Sequence, residues 1–400
     1  MALEYVFKLQ EFHPNACKIG ENGICGFCSK ISLLNTDIQR LQRALKILVD
    51  ERRSLLDGYA NQMHSAIYRI PPELLIRIFT LYAEDEHDSY LKAEYNSQAN
   101  KPNLYPKGYT RPSRATSLTL SAVCKRWREV SFATPMLWTA PVVTIKPRPS
   151  RIQDELLTEW LDRSCNLPLD VSVFCLYKTD TSAINLIGRI IVQQAPRLAR
   201  LDLNLPPNRC QDILNRLEGA QGLEELRLHP VETSEEYCRN RTLSLPVLPA
   251  LRTLWINHAV NFNKTEFPAL VTCDLGRLDM KDIVEILVHA PNLEQCAFSN
   301  VRCIHDQASP LRHAHLRKLD ISSPTVDFMT VLLGILTLPS LQSIKFSVFN
   351  SQERSTTEPF ENVFASFLYR SQCLLQEVEL SGNSKDLSQE TLMRRSAGQK

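Results

Sequence analysis

Four side chains near the N-terminus, His13, Cys17, Cys25 and Cys28, are of the types that hold zinc, with Cys25-Gly26-Phe27-Cys28 as one tight ligand pair. A zinc ion would order a segment that otherwise has little core. The spacing argues the other way: the Cys17–Cys25 gap is short and a second Cys-x-x-Cys is missing, so free thiols without a metal are expected. The nine histidines show no pairing with a nucleophile and an acid, and His313-Ala314-His315 reads as a polar loop. A phosphate-cradling Gly-x-x-x-x-Gly-Lys loop, a Gly-x-Gly-x-x-Gly turn and a His-Glu-x-x-His helix are all absent. The expectation is a protein that is no enzyme and needs no cofactor.

The bulk composition is that of an ordinary globular chain, with ample material in 400 residues for two or three domains. With 46 basic against 44 acidic residues the formal net charge is +2, which calls for neither nucleic acid nor a membrane surface. Met1-Ala2-Leu3-Glu4-Tyr5 lacks the basic-then-apolar layout of a secretory signal. The twelve cysteines are mostly scattered through apolar patterns, so reduced thiols in the cytoplasm or nucleus are expected.

These side chains must be positioned by a sequence of distinct segments. Residues 1–30 are irregular. An amphipathic helix is expected over 31–66, its seam running through Ile31, Leu34, Ile38, Leu41, Leu45, Leu48, Leu55 and Tyr59, interrupted by Arg52. Such a seam could form a dimeric coiled coil or lie against the following domain; its shortness favours the second. A helical module follows over 67–140. Pro71 and Pro72 suit a helix start, and Leu74, Leu75, Ile78, Phe79 and Tyr82 make its apolar face. A second helix is expected from Leu118 to about Phe132, and Thr134-Pro135 opens a short final turn ending at Trp138. The segment 84–116 between the helices, acidic and then rich in Asn, Tyr and Pro, reads as an insertion.

After a helix over about 152–163 and a strand at Leu169, Val171 and Val173, the pattern L-x-x-L-x-L recurs eight times with substitutions. Its first members are Leu198, Leu223, Leu251, Leu270, Leu293, Leu316, Leu341 and Leu375. Successive steps are 25, 28, 19, 23, 23, 25 and 34 residues, five of them inside the roughly 20–29 typical of leucine-rich repeats. Each unit should place a short strand in a parallel sheet, with its second and third apolar residues pointing into a shared core. Helices are expected behind the sheet at 183–193, 212–217, 282–289, 326–336 and 361–369, and extended connections before Leu251 and Leu270. Cys273 and Cys296 take leucine places in their units and read as small core residues. The fold expected is therefore a mixed α+β and α/β repeat chain: an N-terminal helix, a three-helix module and an irregular leucine-rich-repeat solenoid over 150–380, with a polar tail at 381–400.

The module resembles the F-box, the motif through which substrate receptors bind the Skp adaptor of cullin–RING ubiquitin ligases. The residues that carry the likeness are Ile70-Pro71-x-Glu73-Leu74-Leu75-x-x-Ile78-Phe79, Val123-Cys124-Lys125-x-Trp127-Arg128 and Leu137-Trp138. The whole layout, including Trp160-Leu161-Asp162-Arg163-Ser164, is similar to fungal F-box proteins with irregular leucine-rich repeats. The departure is the 84–116 insertion, which breaks the motif in two. The resemblance implies that Pro71, Leu74, Leu75, Ile78, Val123, Cys124 and Trp127 form the adaptor interface or the core just under it. It implies a substrate-recognition subunit with the Skp adaptor, cullin and a target protein as partners. The alternative is a repeat scaffold that binds proteins without a ubiquitin ligase role.

A target would be held by the strand residues that flank the inward pairs. Read along the units, these are Arg200 and Asp202, Glu225 and Arg227, Thr253 and Trp255, Thr272 and Asp274, Gln295 and Ala297, Lys318 and Asp320, Ser343 and Lys345, Glu377 and Glu379. Trp255, between Arg227 and Asp274, has the makings of a hot spot, or else it is core covered by the segment from Pro230 to Pro249.

Overall fold

A computed structural model describes residues 25–63, 70–84, 116–145, 151–175, 181–217, 219–230, 242–262, 265–301, 309–323, 326–348 and 360–382. His13, Cys17, nearly all of the 84–116 insertion, the start of the Pro230–Pro249 segment and the tail beyond 382 lie outside them. The chain falls into two units, Met1–Leu75 and Ile76–Lys400.

In the first unit, helix α1 spans Gly26–Met63, starting five residues before the expected position. At 1.5 Å per residue its 38 residues extend about 57 Å. The expected seam forms, but it is not covered: Ile31, Leu34, Leu41, Leu45, Leu48, Leu55 and Tyr59 are 40–68% exposed. Cys25 and Cys28 sit at its start with their sulfurs 3.3 Å apart, and no cluster of metal-ligating groups occurs among the described residues.

Helix α2 (72–84) begins where the prolines require. The amides of Leu74 and Leu75 both donate to the Pro71 carbonyl at 3.1 Å. The next expected helix is broken in two, α3 (Thr116–Val123) and α4 (Lys125–Phe132). Cys124 interrupts it with extended backbone (φ −156°, ψ 172°), and its sulfur accepts the Trp127 amide at 3.5 Å as an N-cap. A 3₁₀ turn over Pro135–Trp138 follows, with Trp138 buried and its indole N–H donating to the Ser131 carbonyl at 2.8 Å.

Ten strands then form one parallel sheet in chain order: β1 (Val142–Ile145), β2 (Leu169–Cys175), β3 (Leu198–Asn204), β4 (Glu225–Leu228), β5 (Thr253–Asn257), β6 (Thr272–Gly276), β7 (Gln295–Ser299), β8 (Lys318–Ser323), β9 (Ser343–Val348) and β10 (Glu377–Gly382). Each occurrence of the leucine pattern gives one strand, β3 to β10, and β1 is a strand that pattern did not announce. Register is exact along the inward rows. Leu201, Leu226, Leu254, Cys273, Cys296, Leu319, Ile344 and Val378 pair side by side, and all are buried. A second inward row runs from Leu203 through Phe298 to Phe346. A slip of one residue would turn both rows to solvent, so burial of these side chains pins the register.

The units also share a backbone device. The carbonyl of Arg252 accepts two consecutive amides, Val271 and Thr272, and those of Glu224, Val271, Glu294, Arg317 and Gln342 do the same for the unit after each. The six carbonyls thus tie successive strands at one end of the sheet.

Five helices pack behind: α5 (Arg151–Arg163), α6 (Thr181–Gln193), α7 (Pro207–Leu214), α8 (Met280–His289) and α9 (Val326–Ile335), with α10 (Phe360–Ser371) behind the last strands. Helix α7 lies about five residues ahead of its expected place, because Pro206-Pro207 starts the helix there. The connections into β5 and β6 hold no helix among the described residues. Among those residues, too, no helix is long and apolar enough to cross a membrane.

Candidate functional site

Two surfaces have the composition of binding sites. The first belongs to the helical module. On α2, Leu74, Ile78, Leu81 and Tyr82 follow helical spacing and are all about half exposed. Leu75 and Phe79, each one position after a stripe residue, border the stripe and are buried at 1%. Phe79 packs against Trp127 of α4, ring centroids 4.8 Å apart, so the two helices support each other beneath the exposed stripe. Val123 is 57% exposed at the end of α3. Of the seven residues in the sequence reading, Pro71, Leu74, Ile78 and Val123 therefore face solvent. Cys124 and Trp127 are half-buried. Leu75 is buried and lies in the core beneath that face, the second of the two places the resemblance allowed. The reading missed Leu81 and Met136, both exposed, although Leu81 stands three residues after Ile78.

The module is fixed to the sheet by an aromatic joint. Trp160 of α5 meets Trp138 edge-on at 5.1 Å, and the Arg163 guanidinium lies 3.7 Å over Phe132 and 4.7 Å over Trp138. Cation–π contact and edge packing here are each worth about 0.5–1.5 kcal/mol. The turn after α5 is held by Arg197, which sequence alone gave no reason to single out. Its guanidinium donates to the carbonyls of Leu161 (2.9 Å) and Cys165 and to the Ser164 hydroxyl (2.9 Å). Burial draws its pKa down while Asp162 draws it up.

The second surface is the polar face of the sheet. Its rows match the sequence reading residue for residue. One runs Arg200, Glu225, Thr253, Thr272, Gln295, Lys318, Ser343, Glu377; the other runs Asp202, Arg227, Trp255, Asp274, Ala297, Asp320, Lys345, Glu379. Solvation along the rows is uneven. Asp202 and the neighbouring Asn204 and His229 are buried, whereas Gln295 and Lys318 are exposed.

Arg227, Trp255 and Asp274 occupy adjacent strands of one row, as read, and all three are partly buried. Arg227 is bonded to Glu225 at 2.5 Å. Trp255 packs edge-on against His229 at 4.3 Å, and its side chain hydrogen-bonds the Asp274 carboxylate. Desolvation nevertheless pushes the Asp274 carboxyl up to about 6, and Asp320 adds to the rise. Asp320 is raised as well, chiefly by desolvation, with Lys345 and Lys318 opposing. Trp255 is thus neither free nor core: it is braced on both sides with part of its ring still open. The surface can hold polar and cationic groups, and farther along it the Ser343 hydroxyl donates to the Glu377 carboxylate at 3.0 Å.

His313 lies in a loop, as read, but its own side chain is not solvated. It is buried, with Nε2 3.0 Å from the Ala290 carbonyl, and burial lowers its pKa.

The chain matches no known family profile, and no curated protein matches it significantly.

Proposed function

We propose that this chain is the substrate-recognition subunit of a Skp–cullin–F-box ubiquitin ligase. In this reading the helical module is an F-box that grips the Skp adaptor and through it cullin, and the sheet is the recognition face of a leucine-rich-repeat domain. The chain does no covalent chemistry. It raises the effective concentration of target lysines near a charged conjugating enzyme carried by other subunits.

The observation that supports the reading most is the exposed apolar stripe of α2, Leu74, Ile78, Leu81 and Tyr82, standing beside the packed Phe79–Trp127 pair. A module this small cannot bury all its apolar surface alone, and an exposed stripe of leucine and isoleucine is the surface of a docking element. A rigid joint through Trp138, Trp160 and Arg163 is also what a receptor needs, since the target must be held at a fixed distance from the adaptor. For the target, Arg227, Trp255 and Asp274 form the centre of the candidate contact, with the aromatic ring as anchor.

Co-purification with a Skp adaptor tests the proposal. The native chain should capture the adaptor stoichiometrically, and Ile78→Asp with Val123→Asp should abolish capture while the sheet stays folded. Both residues are solvent-facing, so their replacement should alter stability by only about 0.5 kcal/mol. A well-folded native chain that captures none would sink the receptor reading. The better account would then be a protein-interaction scaffold whose helices only cap the repeats.

A further inference from the structure

Helix α1 carries a second exposed apolar surface that the receptor reading does not use. From Ile31 to Tyr59 the seam advances in unbroken steps of three and four: Ile31, Leu34, Ile38, Leu41, Leu45, Leu48, Arg52, Leu55, Tyr59. That is the a and d pattern of a heptad repeat sustained over four heptads, with Ile31 at a and Leu34 at d. Eight of the nine positions are apolar. The positions farthest from the seam, Thr36, Arg43, Asp50 and Asp57, are all polar. Val49 and Leu56, beside the seam, are exposed too and widen it. A solitary helix would not keep this stripe in water, because so much apolar surface is the strongest driving force for association the helix has.

We propose that α1 pairs with α1 of a second copy of this chain as a parallel, in-register two-stranded coiled coil. Two details select the occupant. Isoleucine at the first two a positions with leucine at all four d positions is the packing preference of parallel dimers. The charged a residue, Arg52, directly follows Glu51 at g. In a parallel in-register pair the g residue of one helix flanks the next a residue of the other, so Arg52 reaches Glu51 of the partner subunit, twice by symmetry. An unrelated apolar helix would leave Arg52 without that carboxylate. The single charged layer then fixes register at some expense of stability, as polar a residues do. The pairing would give the assembly two helical modules and two sheets.

Light scattering on the eluting full-length chain reads the outcome directly. The native protein should show twice the 45.6 kDa mass of one chain. Leu41→Asp with Leu48→Asp should return it to one mass, and Arg43→Ala, on the outer face, should leave the dimer intact. Circular dichroism checks that the variants remain folded. Glu51→Arg should weaken the dimer by about tenfold or more, and adding Arg52→Glu should restore it. A native chain that elutes as a monomer at micromolar concentration overturns the proposal, as does a dimer that survives the Leu41/Leu48 change. Indifference to the Glu51/Arg52 exchange overturns the parallel register. None of these readouts involves the Skp adaptor, so the two proposals stand or fall separately.

Discussion

Trp160 presents itself edge-on to Trp138 at 5.1 Å, and this contact couples the helical module to the first helix behind the sheet. Arg163 completes the joint from above Phe132 and Trp138. Truncating Trp160 to Ala should cost about 2–3 kcal/mol, at or below the usual range for a large aromatic because the ring is only half-buried. A Trp138→Ala, Trp160→Ala double-mutant cycle should give a coupling of about 0.5–1.5 kcal/mol by urea denaturation. Strict additivity would show that the two rings merely lie near each other.

Asp274 sets a pH dependence. Its carboxyl is raised from 3.8 to about 6 by desolvation, so the folded state holds the proton more tightly than the unfolded chain does. The stabilisation from protonation is fully present below the unfolded value and is lost as pH rises through about 6. Asp274→Asn removes the ionisation and keeps an acceptor for Trp255. The variant should therefore gain melting temperature over the native protein at neutral pH, and the gain should vanish near the unfolded value. Thermal melts across this range check it; a difference that does not vary with pH contradicts the assignment.

Cysteine reactivity should follow burial. The Cys210 thiol is pushed up to about 12 by burial, and Cys296 is raised by burial and by its neighbour Cys273. Cys165 is exposed in the turn after α5. Alkylation of the native protein should label Cys165 quickly and leave Cys210, Cys273 and Cys296 unmodified until denaturant is added. Peptide mass spectrometry reads this directly. Early labelling of Cys273 or Cys296 would mean that the sheet core opens locally.

Much of the candidate site could be read before the fold was known. The strand at Thr253–Asn257 is announced by Leu251, Leu254 and Ile256, and once those residues point inward Thr253 and Trp255 must point outward. The same local logic placed Arg227 and Asp274 beside Trp255. It failed where a side chain's state depends on distant segments. Leu75 and Leu74 look equivalent in sequence, yet one is buried and the other open. Cys124 looks like one more apolar residue of a continuous helix, yet it takes extended backbone and caps the next one. Strand β1 has only four residues and no leucine pattern, and it is defined by its pairing with β2 thirty positions later.

The sequence by itself determined the periods: the two-residue alternation that assigns inward and outward rows, and the heptad that draws one seam along α1. These follow from backbone geometry, which acts over a few residues and leaves its mark on neighbouring positions. Only the tertiary structure decided which polar residues are desolvated, as with Asp202, Asp274 and Asp320, and which lone cation closes a turn, as Arg197 does across some thirty residues. Burial and hydrogen bonding of that kind depend on what packs from far along the chain, and local spacing carries no record of it.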